Sequence, residues 1–182
     1  MKLRSAVMID LGFTETPTAL PSGLQLGTPV VLGSAESGGE GEFLVGQANG
    51  VVTQYYACGV RSGATPFDFT HLVQADAADY DPLVAIAVNT MADNDYGLFC
   101  VRHHDGVTYA DGTSNQGMSL FTAAGSAKDS RMYVSGTTGV LTTTGTTTQV
   151  VAEGIRLRTA TGTAAAANNA TADYPRGIRF GA

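Results

Sequence analysis

The apolar positions of this chain fall in short runs separated by Gly, Asp and Asn. No segment longer than about 12 residues keeps the three-and-four spacing of an amphipathic helix. The run 51–60 is rich in β-branched and aromatic residues, which suit a pleated, half-buried surface. A second run, 83–91, is opened by Asp81 and Pro82. The third, 96–103, is the clearest: Asp93-Asn94-Asp95 precedes it as a turn signal and His104-Asp105-Gly106 follows. Val107-Thr108-Tyr109 then resumes, so Asp105-Gly106 predicts a tight hairpin. Shorter runs follow at 118–121, 131–134, 139–141 and 150–152, and 154–159 alternates apolar and basic residues as a half-buried strand should. Helical signals are confined to one short turn at 76–80 and a weak one at 164–167. Many short strands between turn residues predict a mostly β chain: a single β-barrel or β-sandwich domain with extended N- and C-terminal arms and little helix.

Three regions follow from the same pattern. Residues 1–50 read as an N-terminal arm or edge hairpin, with short strands at 30–32 and 43–45 flanking the Gly-rich loop 34–42. Residues 51–160 form the β core, in which the Thr-rich stretch 137–148 reads as a polar hairpin. Residues 161–182 read as a C-terminal loop and docking arm, its final Arg176 to Phe180 being either one more short strand or an arm.

Composition narrows the class. Charged residues make up 14% of the chain, against about 25% in an ordinary soluble domain. Gly, Thr and Ala together supply 71 of 182 positions, and Lys occurs only at Lys2 and Lys128. A surface so sparsely charged suits a protein packed against neighbours better than one free in solution. The net charge of −6 disfavours nucleic-acid binding, whose affinity rests on phosphate neutralisation. Residues 5–149 carry 14 acids against four bases, whereas Lys2 and Arg4 at one end and Arg156, Arg158, Arg176 and Arg179 at the other make the termini basic. Basic ends on an acidic body can dock on an acidic partner. Asp10 interrupts the first apolar run, so no secretory signal is expected, and the longest apolar run, 83–88, falls far short of the ~20 residues a membrane-spanning helix needs. Cys58 and Cys100 each sit in an apolar stretch and read as buried free thiols.

The candidate chemistry is sparse. His103 and His104 are adjacent on a strand and so point to opposite faces, and His71 has no partner that sequence identifies. Asp79 with Asp81, and Asp93 with Asp95, resemble acid pairs, but the calcium-loop ligands beyond Asp95 are missing, and both pairs read as turns. Ser119 has glycine on one side only, which is not a nucleophile elbow. The glycines at 38, 39 and 41 match no phosphate-binding loop. Sequence therefore assigns no catalytic residue, cofactor or metal ligand, and the chain reads as a non-enzyme.

One stretch carries a resemblance. Ala92-Asp93-Asn94-Asp95-Tyr96-Gly97-Leu98-Phe99-Cys100-Val101 is followed by a turn, a short strand, and then Asn115-Gln116-Gly117-Met118-Ser119-Leu120-Phe121, ending in Ala123-Ala124-Gly125. This resembles the small β-barrel capsid cement, or decoration, proteins of tailed bacteriophages, and Val150 to Leu157 is similar to their return strand. The likeness covers about residues 82–160. It implies a virion protein, made in the host cytoplasm, that binds the major capsid protein on the outer capsid surface as a homotrimer and stiffens the head. It implies no catalytic residue, and the net charge and short apolar runs leave no nucleic-acid or membrane partner expected. The chain departs from the smaller members by its long N-terminal segment and its Ala/Asn/Thr-rich tail. The capsid-docking candidates are Arg176, Ile178, Arg179 and Phe180 at one end and Lys2 and Arg4 at the other. Two other readings fit the composition: a different phage structural component (tail, connector or fibre base), or a glycan-binding β module using Tyr55, Tyr56 or Tyr109.

Overall fold

The computed structural model describes residues 18–20, 23–33, 40–73, 79–104, 118–120, 131–142, 151–157, 170–173 and 179–181. Among these there is no α-helix, and the strands are β1 (Pro29–Gly33), β2 (Glu40–Ala48), β3 (Ala57–Arg61), β4 (Asp68–His71), β5 (Tyr80–Ala87), β6 (Tyr96–His104), β7 (Met118–Leu120), β8 (Arg131–Val134), β9 (Leu141–Thr142), β10 (Val151–Leu157), β11 (Ala170–Asp173) and β12 (Arg179–Gly181).

The first six strands form one sheet in the order β1-β2-β4-β3-β5-β6, and β2 also pairs with β6. That last pairing closes β2, β4, β3, β5 and β6 into a five-stranded barrel, with β1 as an added strand on β2. The closing seam is long: β2 runs antiparallel to β6 from Glu40 opposite His104 to Gln47 opposite Tyr96, with one irregularity between Glu42 and Phe43. At its far end β2 meets β4 in parallel, Gln47 opposite Asp68 and Ala48 opposite Phe69. The expected hairpin in the first fifty residues is thus present as β1 and β2, but β2 is a stave of the barrel rather than an edge.

Two apolar clusters lie on opposite faces of this wall. One takes Cys58 and Val60 from β3, Phe69 from β4, Ala85 and Ala87 from β5, Phe99 from β6 and Ala48 from β2, with Val52 and Met91 from the turns. All its members belong to the staves and the turns joining them, so it fills the barrel. The other takes the alternate positions, Phe43, Val45, Ala57, Val84, Ile86, Leu98 and Cys100, and adds Met132, Val134 and Leu141 from β8 and β9. Because β8 and β9 are not staves, this face looks outward and packs on the second sheet. A wall buried on both sides reads in sequence as continuous apolar residues rather than alternation, which is why the runs through β5 and β6 are so uniformly hydrophobic.

The barrel interior is narrow and is filled by small residues around one aromatic pair. Phe69 and Phe99 stack at 4.0 Å between ring centroids and 20° between planes. They reach each other across β2 because Gly46 lies beneath them: a Cβ there would sit 2.5 Å from Phe69 and 2.7 Å from Phe99. Pro82, which has no N–H to give a ladder, sits inside β5 where its register with β3 shifts, between Tyr80 opposite Arg61 and Val84 opposite Gly59.

The second sheet has the order β7-β11-β10-β8-β9, and β12 pairs with β10. Its β8–β9 turn is held by the Ser135 N–H donating to the Val140 carbonyl at 3.0 Å and by Thr137 N–H donating to Ser135 Oγ at 3.0 Å.

Several elements differ from the sequence reading. The run 51–60 is a strand only from Ala57: before it the chain turns, with Tyr55 at φ 68°, and Val52 keeps a single bridge to Met91. The run 83–91 starts earlier, at Tyr80, and ends at Ala87. The two runs 150–152 and 154–159 are one strand, β10, with an irregular register between Ala152 and Arg156. β4 went unpredicted. Residues 105–110, where a hairpin was expected, and 76–78 and 164–167, where helical turns were expected, lie outside the described residues, as does the second half of the Thr-rich stretch, 143–148.

Candidate functional site

The polar side chains that sequence offered for chemistry sit mainly where the barrel's strands are joined. The turn before β6 carries three of them. Asp93 Oδ1 accepts the Gly50 N–H at 2.7 Å, tying this turn to the one after β2. Asp95 is buried, and its carboxylate accepts the Ala92 N–H at 3.0 Å, closing the turn on itself. Between them Asn94 takes φ 67°, a left-handed conformation that Asn tolerates better than most residues. Its N–H donates to the Ala48 carbonyl at 2.8 Å, and Gln47 Nε2 donates to its carbonyl at 3.1 Å.

The same end of the barrel holds Asp68, whose Oδ2 accepts Asn49 Nδ2 at 2.9 Å. Burial raises the Asp68 carboxyl above the usual carboxylate range. The Asn49 bond opposes that rise, and repulsion from Asp93 adds to it. Asp79 and Asp81 both meet Ser62: the Ser62 N–H donates to the Asp79 carbonyl at 2.7 Å and Ser62 Oγ bonds Asp81 Oδ1 at 3.1 Å. They lock the β3–β4 connection to the start of β5. Asp93 and Asp95 thus serve as turn residues, whereas Asp81 lies within β5. Among the described residues no group of three or more His, Cys, Asp or Glu is placed to hold a metal ion.

His71, for which sequence identified no partner, ends β4. Its Nε2 accepts the Thr53 N–H at 2.8 Å, and its ring lies 4.8 Å from that of Tyr56 at 44°. Burial holds the imidazole below its usual range. His103 and His104 are consecutive on β6, opposite Gly41 and Glu40.

Cys58 and Cys100 are buried thiols outside any disulfide, one in each apolar cluster. Burial pushes the Cys58 thiol far up, the reverse of what a nucleophile needs. Ser119 lies in β7 opposite Thr171, in a strand rather than a strained turn. Of the capsid-docking candidates, Arg179 and Phe180 lie in β12, opposite Glu153 and Ala152 of β10, so the strand alternative for this segment is the one described. Lys2, Arg4, Arg176 and Ile178 lie outside the described residues, as do Tyr109 and the glycines at 38 and 39.

Sequence reasoning missed one junction. The Gly139 N–H donates to the Leu72 carbonyl and the Gly139 carbonyl accepts the Ala57 N–H, both at 2.8 Å. This backbone wedge seats the β8–β9 turn at the end of the barrel. The only sequence signal for it is a glycine in a turn.

No family model, curated protein or solved structure matches the chain.

Proposed function

We propose that this chain is a structural virion protein that decorates the outer surface of a tailed-bacteriophage capsid and stabilises the head. The observation that carries the reading is the use to which the resemblance-bearing phrase is put. Asp93, Asn94 and Asp95 bond to Gly50, Ala48 and Ala92, and Leu98, Phe99 and Cys100 fill both cores. Residues 93–100 of that phrase thus close and pack the barrel, which supports reading the chain as a small β-barrel decoration protein. The low charge content of 14% supports the same reading.

In this role attachment is additive, built from many modest contacts between each copy and adjacent capsid subunits. The basic ends supply charge complementary to acidic groups of the partner surface. Arg176 and Arg179 pair with acidic capsid groups, Ile178 and Phe180 fill apolar pockets beside them, and Lys2 and Arg4 act likewise at the other end. A homotrimer suits the three-fold positions of a capsid lattice.

Quantitative mass spectrometry of purified particles tests this through copy number relative to the major capsid protein. A ratio near one supports the lattice role. A few copies per particle would move the chain to the tail, connector or fibre base, and absence from particles would remove the virion reading.

A further inference from the structure

Among the described residues, the junction between the barrel and the second sheet contains one imidazole, that of His71. His71 Nε2 accepts the Thr53 N–H at 2.8 Å, which fixes the neutral tautomer with its proton on Nδ1. The Tyr56 ring covers the imidazole at 4.8 Å. On its other contact Tyr56 meets Gly139, where a Cβ would fall 2.2 Å from the ring. Gly139 in turn bonds Leu72, the residue after His71, and Ala57, the residue after Tyr56. Three contacts therefore run in series from Thr53, through one imidazole and one phenol, to Gly139 in the β8–β9 turn.

Among the described residues the ring's surroundings leave a proton unaccommodated. Across the ladder it faces Cys58 of β3, whose thiol stays neutral. The turn before β3 offers Thr53 and Tyr56, and from β5 the Tyr80 hydroxyl is already spent on the His71 carbonyl at 2.8 Å. The β8–β9 turn, residues 135–140, contains no ionisable side chain. Among the described residues no carboxylate answers an imidazolium there, and burial holds the ring neutral.

We propose that His71 is an acid-operated clasp: its neutral ring holds the turn before β3 against the end of β4, and protonation releases that turn together with the Tyr56–Gly139 contact that seats the second sheet. Protonation converts Nε2 from acceptor to donor and sets N–H against N–H, so the Thr53 bond cannot survive it. The stability this bond supplies is complete above the unfolded histidine value of 6.5 and is lost as pH falls through the lower folded value.

The test uses the full chain, labelled with 15N and 13C, beside His71→Gln. Glutamine places an amide where Nε2 stood and accepts the Thr53 N–H without titrating. From pH 8 to 4, the His71 ring is expected to titrate below 6.5, and the Thr53 amide shift to move with the same midpoint. Amide exchange at Thr53, Ala57 and Gly139 should exceed that of His71→Gln by roughly tenfold for each pH unit through the transition, intrinsic rates cancelling between the two proteins. Equal acid exchange in both proteins would overturn the clasp, as would an imidazole titrating at or above 6.5 or a Thr53 amide that does not follow it. A Thr53 response with Gly139 unmoved would overturn its transmission to the second sheet. Should His71→Gln fail to fold, the wild-type ring and amide titrations decide alone.

Discussion

Gly139 and Tyr56 fit against each other with no room for a side chain: a Cβ on Gly139 would lie 2.2 Å from the phenol ring, and the glycine stands at φ 70°. Close approach and backbone sign both demand glycine here. The same residue bonds Leu72 and Ala57 on either side, so one position joins the two sheets. Gly139→Ala should cost about 2–4 kcal/mol, combining left-handed strain with a displaced aromatic ring. Urea denaturation checks this. A change below about 0.5 kcal/mol would mean that the junction is soft.

The barrel interior makes a sharper demand. Phe99 is fully buried and stacks on Phe69 at 4.0 Å. Phe99→Ala should destabilise the chain by about 3–5 kcal/mol, since Gly46 beneath the pair offers no side chain to refill the space. Gly46→Val should be worse tolerated still, and soluble expression with a thermal melt distinguishes the two.

Fold and site were legible to different depths. β6 and β8 were plain in the sequence because Tyr96–His104 and Arg131–Val134 are dense in strand formers between turn residues. β4 was not, because Asp68–His71 holds a single strongly apolar residue, Phe69, and owes its pairing to neighbours far along the chain. Residues 51–56 misled in the other direction. They have strand composition, but Tyr55 at φ 68° turns the chain there. Asp93-Asn94-Asp95 was readable as a turn from residue type alone. The role of His71 was not, since its partner is a backbone N–H 18 residues earlier that no side-chain pattern marks.

Asp68 gives a pH dependence of opposite sign to that of His71. Its carboxyl is raised in the fold by burial and by Asp93, so ionisation works against the folded state. The contribution is intact below the ordinary carboxylate value of 3.8 and is lost as pH rises through the higher folded value. Asp68→Asn keeps an acceptor for Asn49, so it should raise the melting temperature at pH 7 and change it little at pH 3. Thermal melts at the two pH values check this, and a destabilised variant at pH 7 would contradict it.

The basic C-terminal end should govern attachment more than folding. Removing the segment outright would take β12 from β10, and a carboxylate at 179 would stand opposite Glu153, so charge removal is the cleaner change. Arg176→Gln with Arg179→Gln should leave the thermal melt within a few degrees of wild type while weakening capsid binding by roughly tenfold or more at low salt. Equal binding by the variant would remove these arginines from the interface.

The decoration role is tested most directly by adding the purified chain to phage particles that lack it. Saturable binding at a fixed ratio to the capsid subunit, with genome release on heating shifted to higher temperature, is the expected result. Failure to bind such particles, or binding that leaves their heat resistance unchanged, would contradict it.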